Sequence, residues 1–434
     1  MRIQRLTGCV LVVLVVALGT SCATTKSIGQ NIQRVANGQP VDRQGLNQAM
    51  ASDTKVIEAN LVELRRKFAK AVAQLRANVE KRWGEHETRV ASRTVYVKYT
   101  QGYQSRVITD FDHGQITIET LDQKDPAASL RTAIVAALLT SNDPASVDLF
   151  SDKDVVLEPA RQPYLYGLVH DNHGHSIRTR AQAEQFARFL IAHRVQMRPV
   201  NSEQRAETAH FVKLYMVRNF EAKGAERYRA SVEKYSVRYH VSPSLVFAIM
   251  RTESNFNPFA VSGAPAYGLM QLVPTSGGRA ALKRVEGTDE VPTPEYLFDP
   301  DHNIELGTAY LGVLGKDEFG GIEDASSRDY CVIAAYNTGP HNVTRTFAPE
   351  RSAALSEINS LSPSAVFDRL RTDLPSEETR LYVVKVTGYR RQFGTSEAAT
   401  LPAIHEQGPA AAAGRASAGS GAASVGSGAA SSNR

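Results

Sequence analysis

The first strong pattern along the chain is an apolar stripe within residues 54–84. Its members follow one another in steps of three and four: Ile57, Leu61, Leu64, Phe68, Val72, Leu75 and Val79. Because an α-helix has 3.6 residues per turn, this spacing places all of them on one face. The stripe predicts a long amphipathic helix that packs on its own domain, with a coiled coil to a partner as the alternative.

The apolar period then changes to two, which indicates strands. Alternating runs centre on Val97, Thr109 and Ile116, and Asp112-His113-Gly114 predicts a turn between the last two. The pattern further predicts a helix near 127–140, strands around 155–170, a helix over 180–193 and a strand over 211–217. These elements make an α+β domain over residues 53–222, in which we find no catalytic motif.

A helical pattern dominates the next part of the chain, for which we predict a second, mainly α domain over residues 223–397. Residues 23–52 are polar and without clear periodicity, so we interpret them as a tether. Residues 398–434 are rich in Ala, Gly and Ser. Such a composition cannot bury enough apolar surface to offset its ordering entropy, and we predict a disordered tail.

Residues 1–22 resemble an export signal, with Arg2 and Arg5 ahead of an apolar run and small residues before Cys22. The run is shorter than the roughly 20 residues that a membrane-spanning helix needs. Small residues before a cysteine resemble a bacterial lipobox, in which the cysteine receives lipid. Leu6-Thr7-Gly8-Cys9 fits the lipobox better by letter, but almost no apolar segment precedes it, so we favour Cys22.

The leader therefore predicts a lipoprotein held by acyl chains at Cys22, since two or three chains anchor a protein firmly. An ordinary cleaved signal or an uncleaved anchor is the alternative. Ala23 follows the cysteine instead of an aspartate, which by resemblance to Gram-negative sorting rules indicates the outer membrane, facing the periplasm.

Composition excludes several classes of function. The 434 residues carry a formal charge of only +5, which fits an anionic cell-wall polymer or phospholipid without deciding between them. No zinc spacing, dinucleotide fingerprint or phosphate loop is present, so we expect no metal, cofactor or nucleic acid. His173 and His175 lie in a Gly/Asn-rich turn and are interpreted as loop residues rather than metal ligands. Cys331 is the one cysteine beyond the leader, which excludes a disulfide framework.

Glu253 is the candidate for acid chemistry. Ser242-Pro243 predicts a capped helix start, and Leu245 and Ile249 precede Glu253 at steps of four. The carboxyl group therefore continues the apolar face of its helix, where desolvation raises the pKa of an acid. A raised pKa suits a general acid near neutral pH, although pairing with a cation such as Arg251 would explain the same residue structurally.

Several separated blocks around Glu253 decide between these interpretations. They are Glu253-Ser254-Asn255-Phe256-Asn257-Pro258, Ser262, Tyr267-Gly268-Leu269-Met270-Gln271, Asn303-Ile304, Ala335-Tyr336-Asn337-Thr338-Gly339 and Glu378-Thr379-Arg380-Leu381-Tyr382-Val383. In order and spacing this series resembles the lytic transglycosylases with a goose-type lysozyme-like (SLT) domain, over roughly 230–395. Pro292 to Pro300, and Pro163-Tyr164-Leu165-Tyr166-Gly167 in the first domain, resemble a membrane-bound branch that carries an α+β domain before the catalytic one.

The resemblance assigns Glu253 the role of catalytic acid. The positions that it assigns to substrate binding are Ser262, Gly268, Met270, Gln271, Tyr336, Asn337 and Tyr382. Among these, Ser262 matches an assisting hydroxyl near the reacting sugar, and Tyr382 matches a tyrosine that hydrogen-bonds near the acid. Amide groups such as that of Gln271 can both donate to and accept from N-acetyl groups.

The count of carboxyl groups bears on the reaction. Glycosidases commonly use two, whereas no Asp or Glu follows Glu253 before Glu286, and Asp299 and Asp301 look like helix caps. The resemblance implies cleavage of the MurNAc–GlcNAc bond of peptidoglycan with closure of a 1,6-anhydro ring. The alternatives are a lysozyme-like hydrolase and a non-catalytic lipoprotein that binds peptidoglycan. Glycan positioning, docking of cell-wall proteins and a spacer role all fit the first domain.

Overall fold

The computed structural model describes Glu63 and residues 66–158, 161–201, 206–263 and 266–394, all within one compact unit. The predicted leader, Cys9, Cys22, the tether and the tail over 398–434 lie outside these residues. Among the described residues no helix has the length and apolarity needed to cross a bilayer.

The amphipathic stripe forms a helix, α1, over residues 66–83. Its buried residues Leu75, Val79 and Trp83 pack with Val97 and Tyr99 of the first strand. The prediction that the stripe packs on its own domain is thus confirmed for the described part of the helix.

Five strands form one antiparallel sheet in the order β1-β2-β3-β5-β4. Their bounds are β1 Val95–Thr100, β2 Ser105–Asp110, β3 Gln115–Thr120, β4 Gln196–Asn201 and β5 Ala206–Tyr215. Successive side chains point to opposite faces, so Val97 joins α1 whereas Tyr96 joins the helices α2 (Pro126–Leu139) and α3 (Arg180–His193). The sheet therefore lies between α1 and the pair α2–α3.

Two features of the sheet differ from the sequence prediction. The prediction of strands around 155–170 was wrong. This segment makes turns and isolated bridges, because Tyr164 and Leu165 insert their side chains into the core beside α2 instead of joining the sheet. The hydroxyl groups of Tyr164 and Thr109 share a hydrogen bond of 2.9 Å. Strand β4 was not predicted, because it is an edge strand with mostly exposed side chains and no apolar period of two.

The second part of the chain is helical. Its helices are α4 Phe220–Arg227, α5 Arg229–Tyr239, α6 Pro243–Ser254, α7 Arg279–Glu286, α8 Pro294–Phe298, α9 Pro300–Val313, α10 Ala325–Thr338, α11 Pro340–Phe347, α12 Arg351–Ser360, α13 Pro363–Asp373 and α14 Glu377–Gly394. They surround one apolar core, in which α6 is almost wholly buried and packs along α14. An α+β region followed by a mainly α region is the predicted fold.

Two of the predicted helix caps were wrong. Pro243 begins α6, but the hydroxyl of Ser242 contacts Ser244 instead of capping a backbone N–H. Asp299 does cap α9 by accepting from the N–H of His302. Asp301 instead accepts from the hydroxyls of Ser231 and Tyr235, at 2.6 and 2.5 Å, because its side chain turns toward α5.

The segment after α6 joins the helical region to the sheet region. Phe259 is fully buried against Tyr96 and Tyr164, with ring centroids 4.4 and 5.2 Å apart. The amide group of Asn255 donates to the carbonyl of Phe111 at 2.7 Å. The two regions therefore share packing and hydrogen bonds at the end of the helix that carries Glu253.

Candidate active site

Glu253 lies in the last turn of α6 and is only 6% exposed to solvent. The helix ends at Ser254, and the next two residues, Asn255 (φ 45°) and Phe256 (φ 63°), have left-handed φ. Two consecutive residues in this region turn the chain sharply directly after the acid. Burial raises the pKa of Glu253 to about 7, against the hydrogen bond from Tyr382 and the charge of Arg93, which lower it.

Tyr382 is the hydrogen-bond partner of the acid. Its hydroxyl donates to Oε1 of Glu253 at 2.7 Å from α14, and its side chain is buried as well. Burial and the neighbouring charge of Glu253 hold the pKa of Tyr382 well above its usual range. The phenol therefore stays protonated, and it can donate to whichever form of the carboxyl group is present.

A cation reaches the acid from the sheet region. Nη1 of Arg93, in the segment before β1, lies 3.7 Å from Oε2 of Glu253 and 3.7 Å from Oε1 of Glu378. The charge of Glu378 raises the pKa of Glu253 in turn. No sequence pattern indicates Arg93, because its proximity to the acid depends on the packing of two distant segments. Glu378 was present in a block but had no assigned role.

The turn beside the acid is built around Asn303 of α9. Its amide group donates to the carbonyls of Tyr267 and Leu297, at 2.8 and 2.7 Å, and accepts from the N–H of Met270 at 2.8 Å. Gly268 has φ 76°, and a Cβ there would lie 2.4 Å from Nδ2 of Asn303 and 2.6 Å from the Leu297 carbonyl oxygen. Both the positive φ and the lack of room for a Cβ therefore require glycine at position 268, which is buried in the turn.

Met270 and Gln271 follow in the same turn. Met270 is fully buried, and its sulfur packs so closely on Gly307 that a Cβ there would lie 2.3 Å away. Its backbone carbonyl accepts from the hydroxyl of Tyr336 at 2.8 Å. Gln271 has φ 48° and donates from Nε2 to the carbonyl of Gly268, while its buried Oε1 has no hydrogen-bond partner within the described residues.

The remaining predicted residues are Tyr336, Asn337 and Ser262, and of these Tyr336 interacts with the acid. Half-buried Tyr336 has its pKa raised by burial first and then by the charge of Glu253, which indicates its proximity to the acid. Asn337, the next residue of α10, accepts from the hydroxyl of Thr379 on α14 at 2.6 Å. Ser262 accepts from the N–H of Ala266 at 3.3 Å.

A groove of about 1210 Å³ opens between α1, the segment before β1 and the helical region. Phe68, Leu75, Phe150 and other apolar side chains line it, together with polar groups that include Arg93 and Ser262. Ser262, a predicted site residue, and Arg93 thus line the same groove, which both regions of the chain enclose.

The chain matches two family models in succession. Residues 60–227 match the N-terminal domain of membrane-bound lytic murein transglycosylase C, and residues 230–359 match the transglycosylase SLT domain. Membrane-bound lytic murein transglycosylase C of Yersinia pestis (strain Pestoides F) is 42% identical over 326 residues, which cover 75% of this chain and 89% of that protein. The chain belongs to this lytic transglycosylase family.

The protein of Yersinia pseudotuberculosis serotype O:1b (strain IP 31758) matches equally, at 42% identity with the same coverage. Among solved structures, the 70 kDa soluble lytic transglycosylase of Escherichia coli is 27% identical over 41% of this chain, with a TM-score of 0.30. The match spans about a quarter (26%) of that longer chain. Membership in the lytic transglycosylase family confirms the resemblance, the enzyme class and the order of the two regions.

The residues that the structure describes contain no group of three or more His, Cys, Asp and Glu able to hold a metal ion. The rings of His173 and His175 lie 6.4 Å apart and are exposed. Their backbone N–H groups donate to the carboxylate of Asp171, which orders the turn.

Proposed function

We propose that the chain cleaves the β-1,4 bond between MurNAc and GlcNAc in peptidoglycan and closes a 1,6-anhydro ring, with Glu253 as both acid and base. The environment of Glu253 carries this proposal. Its carboxyl group is buried, its pKa is raised to about 7, and the hydroxyl of Tyr382 fixes one of its oxygens. A carboxyl group with this pKa is half protonated near neutral pH, so it can donate a proton and take one back.

The reaction uses the carboxyl group of Glu253 twice, first as an acid and then as a base. Glu253 first donates its proton to the bridging oxygen as the bond from C1 of MurNAc to that oxygen breaks, and GlcNAc leaves with a hydroxyl group. The N-acetyl group of the substrate can stabilise the electron-poor C1. Glu253, now a carboxylate, then takes the proton from the C6 hydroxyl as O6 bonds to C1. No water is consumed, and the acid returns to its starting form.

Gln271 is our candidate for recognition of an N-acetyl group. Its buried Oε1 has no protein partner among the described residues, and its φ of 48° is a strained value for glutamine. Backbone strain and a buried acceptor concentrate at binding sites, since a ligand N–H can satisfy the oxygen. Ser262 and Asn337 stay as predicted polar contacts. The buried side chain of Met270 supports the turn instead of offering glycan a surface.

Glu378 bears on the hydrolase alternative. Both carboxylates lie 3.7 Å from Nη1 of Arg93, so the two oxygens are no farther apart than twice that distance. Inverting glycosidases place a second carboxylate about 6.5–9.5 Å away to activate water. However, the side chain of Glu378 is 68% exposed and paired with Arg93, which favours solvation over a role as base.

The decisive experiment compares products from purified sacculi for wild type, Glu253→Gln and Glu378→Gln by mass spectrometry. We expect 1,6-anhydromuropeptides from wild type, at least about a thousandfold less from Glu253→Gln because both proton transfers are lost, and anhydro products still from Glu378→Gln. Glu305→Gln is the matched control, since Glu305 also accepts a tyrosine hydrogen bond, from Tyr239 at 3.0 Å.

Each alternative gives a different result. Reducing ends in place of anhydro ends, lost in Glu378→Gln, would establish the hydrolase. Undiminished digestion by Glu253→Gln would refute the catalytic assignment. Binding of sacculi without any cleavage by wild type would leave the non-catalytic lipoprotein.

We also propose that lipid on Cys22 holds the enzyme at the outer membrane, facing the periplasm. Support comes from the leader sequence and from the relatives, whose names describe them as membrane-bound. Metabolic labelling with a fatty-acid analogue tests this, and label should disappear in Cys22→Ala but stay in the matched control Cys9→Ala. Loss only in Cys9→Ala would move the lipid to Cys9, and unlabelled wild type would refute lipidation.

A further inference from the structure

Arg93 occupies an unusual place, because it belongs to the sheet region but its guanidinium lies at the catalytic acid of the helical region. Nη1 lies 3.7 Å from an oxygen of Glu253 and 3.7 Å from an oxygen of Glu378. Both distances exceed a hydrogen bond. The cation is therefore shared between two carboxyl groups at equal distance.

We propose that Arg93 is a positioning residue for the acid, which neutralises the carboxylate that Glu253 becomes after it donates its proton. This inference rests on the proposed function of Glu253. Glu378 also takes part, since its carboxylate attracts the guanidinium of Arg93 while the carboxyl group of Glu253 is still protonated.

The segment that carries Arg93 is fixed from both sides. The backbone carbonyl of Arg93 accepts from the amide of Asn257 at 3.0 Å, and the carbonyl of Ser92 accepts from the N–H of Val261 at 3.4 Å. On the sheet side, the hydroxyl of Thr94 donates to Asp112 at 2.7 Å. Asn257 and Val261 follow the acid by four and eight residues, so the backbone at Arg93 is hydrogen-bonded to the segment directly after the acid.

The chemistry needs such a charge at one moment. Proton donation turns a neutral buried carboxyl group into an anion, and an isolated buried anion is unfavourable. The positive charge of a guanidinium within 4 Å offsets this. When the C6 hydroxyl gives its proton to Glu253, the pair becomes neutral carboxyl plus cation again.

The other groups that face Glu253 are Tyr382 and Glu378 on α14 and Tyr336 on α10. On its own helix, Arg251 pairs with Glu221 and stacks on Tyr389. Of these neighbours, Arg93 supplies the positive charge that lowers the pKa of Glu253, and Glu378 supplies the negative charge that raises it. Removal of the two residues should therefore have opposite effects on the protonation of the acid.

The test is the pH dependence of kcat/KM on purified glycan strands, measured with full-length wild type, Arg93→Gln, Glu378→Gln and Arg93→Lys in detergent. Activity falls at high pH when Glu253 loses its proton. We expect Arg93→Gln to move this alkaline limb up by about one pH unit and to lower the plateau by about tenfold. We expect Glu378→Gln to move the limb down, and Arg93→Lys to restore most of the wild-type profile.

Arg89→Gln is the matched control, because Arg89 lies in the same segment but donates to the carbonyls of His86 and Thr88. It should leave the limb in place. Circular dichroism melting shows whether each variant folds, and Glu378→Gln still tests the proposal if Arg93→Gln does not.

Two results would overturn the proposal. One is an Arg93→Gln profile that falls equally at every pH with the limb unmoved, which is the signature of a merely structural or substrate-binding role. The other is a limb that Glu378→Gln moves in the same direction as Arg93→Gln. Failure of the proposed function is distinct, since Glu253→Gln would then retain activity.

Discussion

The hydroxyl of Tyr382 donates a 2.7 Å hydrogen bond to Oε1 of Glu253, and both side chains are buried. A hydrogen bond to a carboxyl group from a donor that stays protonated favours the charged form. Tyr382 therefore lowers the pKa of Glu253 from the still higher value that burial alone would impose. The same bond fixes the direction of the carboxyl group, which leaves Oε2 toward Arg93.

Removal of this hydroxyl in Tyr382→Phe should raise the pKa of Glu253 and shift the alkaline limb of activity upward. A charge-assisted hydrogen bond contributes about 1.5–3 kcal/mol, so we expect a shift of about one to two pH units and a loss of kcat of at least about tenfold. Rate measurements over a range of glycan-strand concentrations, repeated across pH, give the limb from kcat/KM and the loss from kcat. Tyr239→Phe removes the corresponding hydroxyl from Glu305 and should leave the limb unchanged. A downward shift in Tyr382→Phe would contradict the account of the hydrogen bond.

The raised pKa of Glu253 also has a consequence for stability. Because the pKa rises from its ordinary value of 4.5 to about 7 in the folded chain, the folded state binds the proton more tightly than the unfolded one. Stability from this group is fully present below pH 4.5, declines as pH rises between 4.5 and 7, and stays low above pH 7. The shift corresponds to about 3 kcal/mol, at about 1.36 kcal/mol per pKa unit.

Glu253→Gln should therefore stabilise the protein at pH 8, where glutamine replaces a buried anion, and have less effect at pH 5. Urea unfolding at the two pH values measures the difference. We expect the stabilisation at pH 8 to exceed that at pH 5 by about 2–3 kcal/mol. An equal effect at both pH values would mean that burial does not raise the pKa of Glu253.

The turn beside the acid should be intolerant of a single methyl group. Gly268→Ala would place a Cβ 2.4 Å from Nδ2 of Asn303 and 2.6 Å from a backbone carbonyl, at a φ of 76°. We expect a loss of about 3 kcal/mol or more in the free energy of unfolding, because the three hydrogen bonds of Asn303 are disturbed together. Denaturant unfolding measures this loss.

Gly287→Ala is the matched control for this substitution. Gly287 has a similar φ of 75° in the left-handed region, but a Cβ there would meet nothing within 4 Å. It should lose only about 1–2 kcal/mol, the cost of the backbone conformation. Equal losses in the two variants would show that the close approach to Asn303 does not matter.

The limits of the sequence prediction follow from the physics of each element. Helix α1 and the buried position of Glu253 could be predicted because their signals are local, in the spacing of apolar positions along one helix. The role of Glu253 as the acid was assigned by the resemblance of the separated blocks around it. The segment over 155–170 misled the prediction, since buried Tyr164 and Leu165 have the composition of a strand without its hydrogen bonds. Arg93 could not be predicted, because no residue near it in sequence indicates which carboxyl group it meets.

The docking of Phe259 into the sheet region makes the catalytic half a poor candidate for transplantation. A chimaera that begins after residue 229 would expose the ring of Phe259, which is fully buried between Tyr96 and Tyr164. It would also leave the amides of Asn255 and Asn257 without the carbonyls of Phe111 and Arg93. An engineer who wants the glycan-cutting half on another carrier must therefore bring the sheet with it.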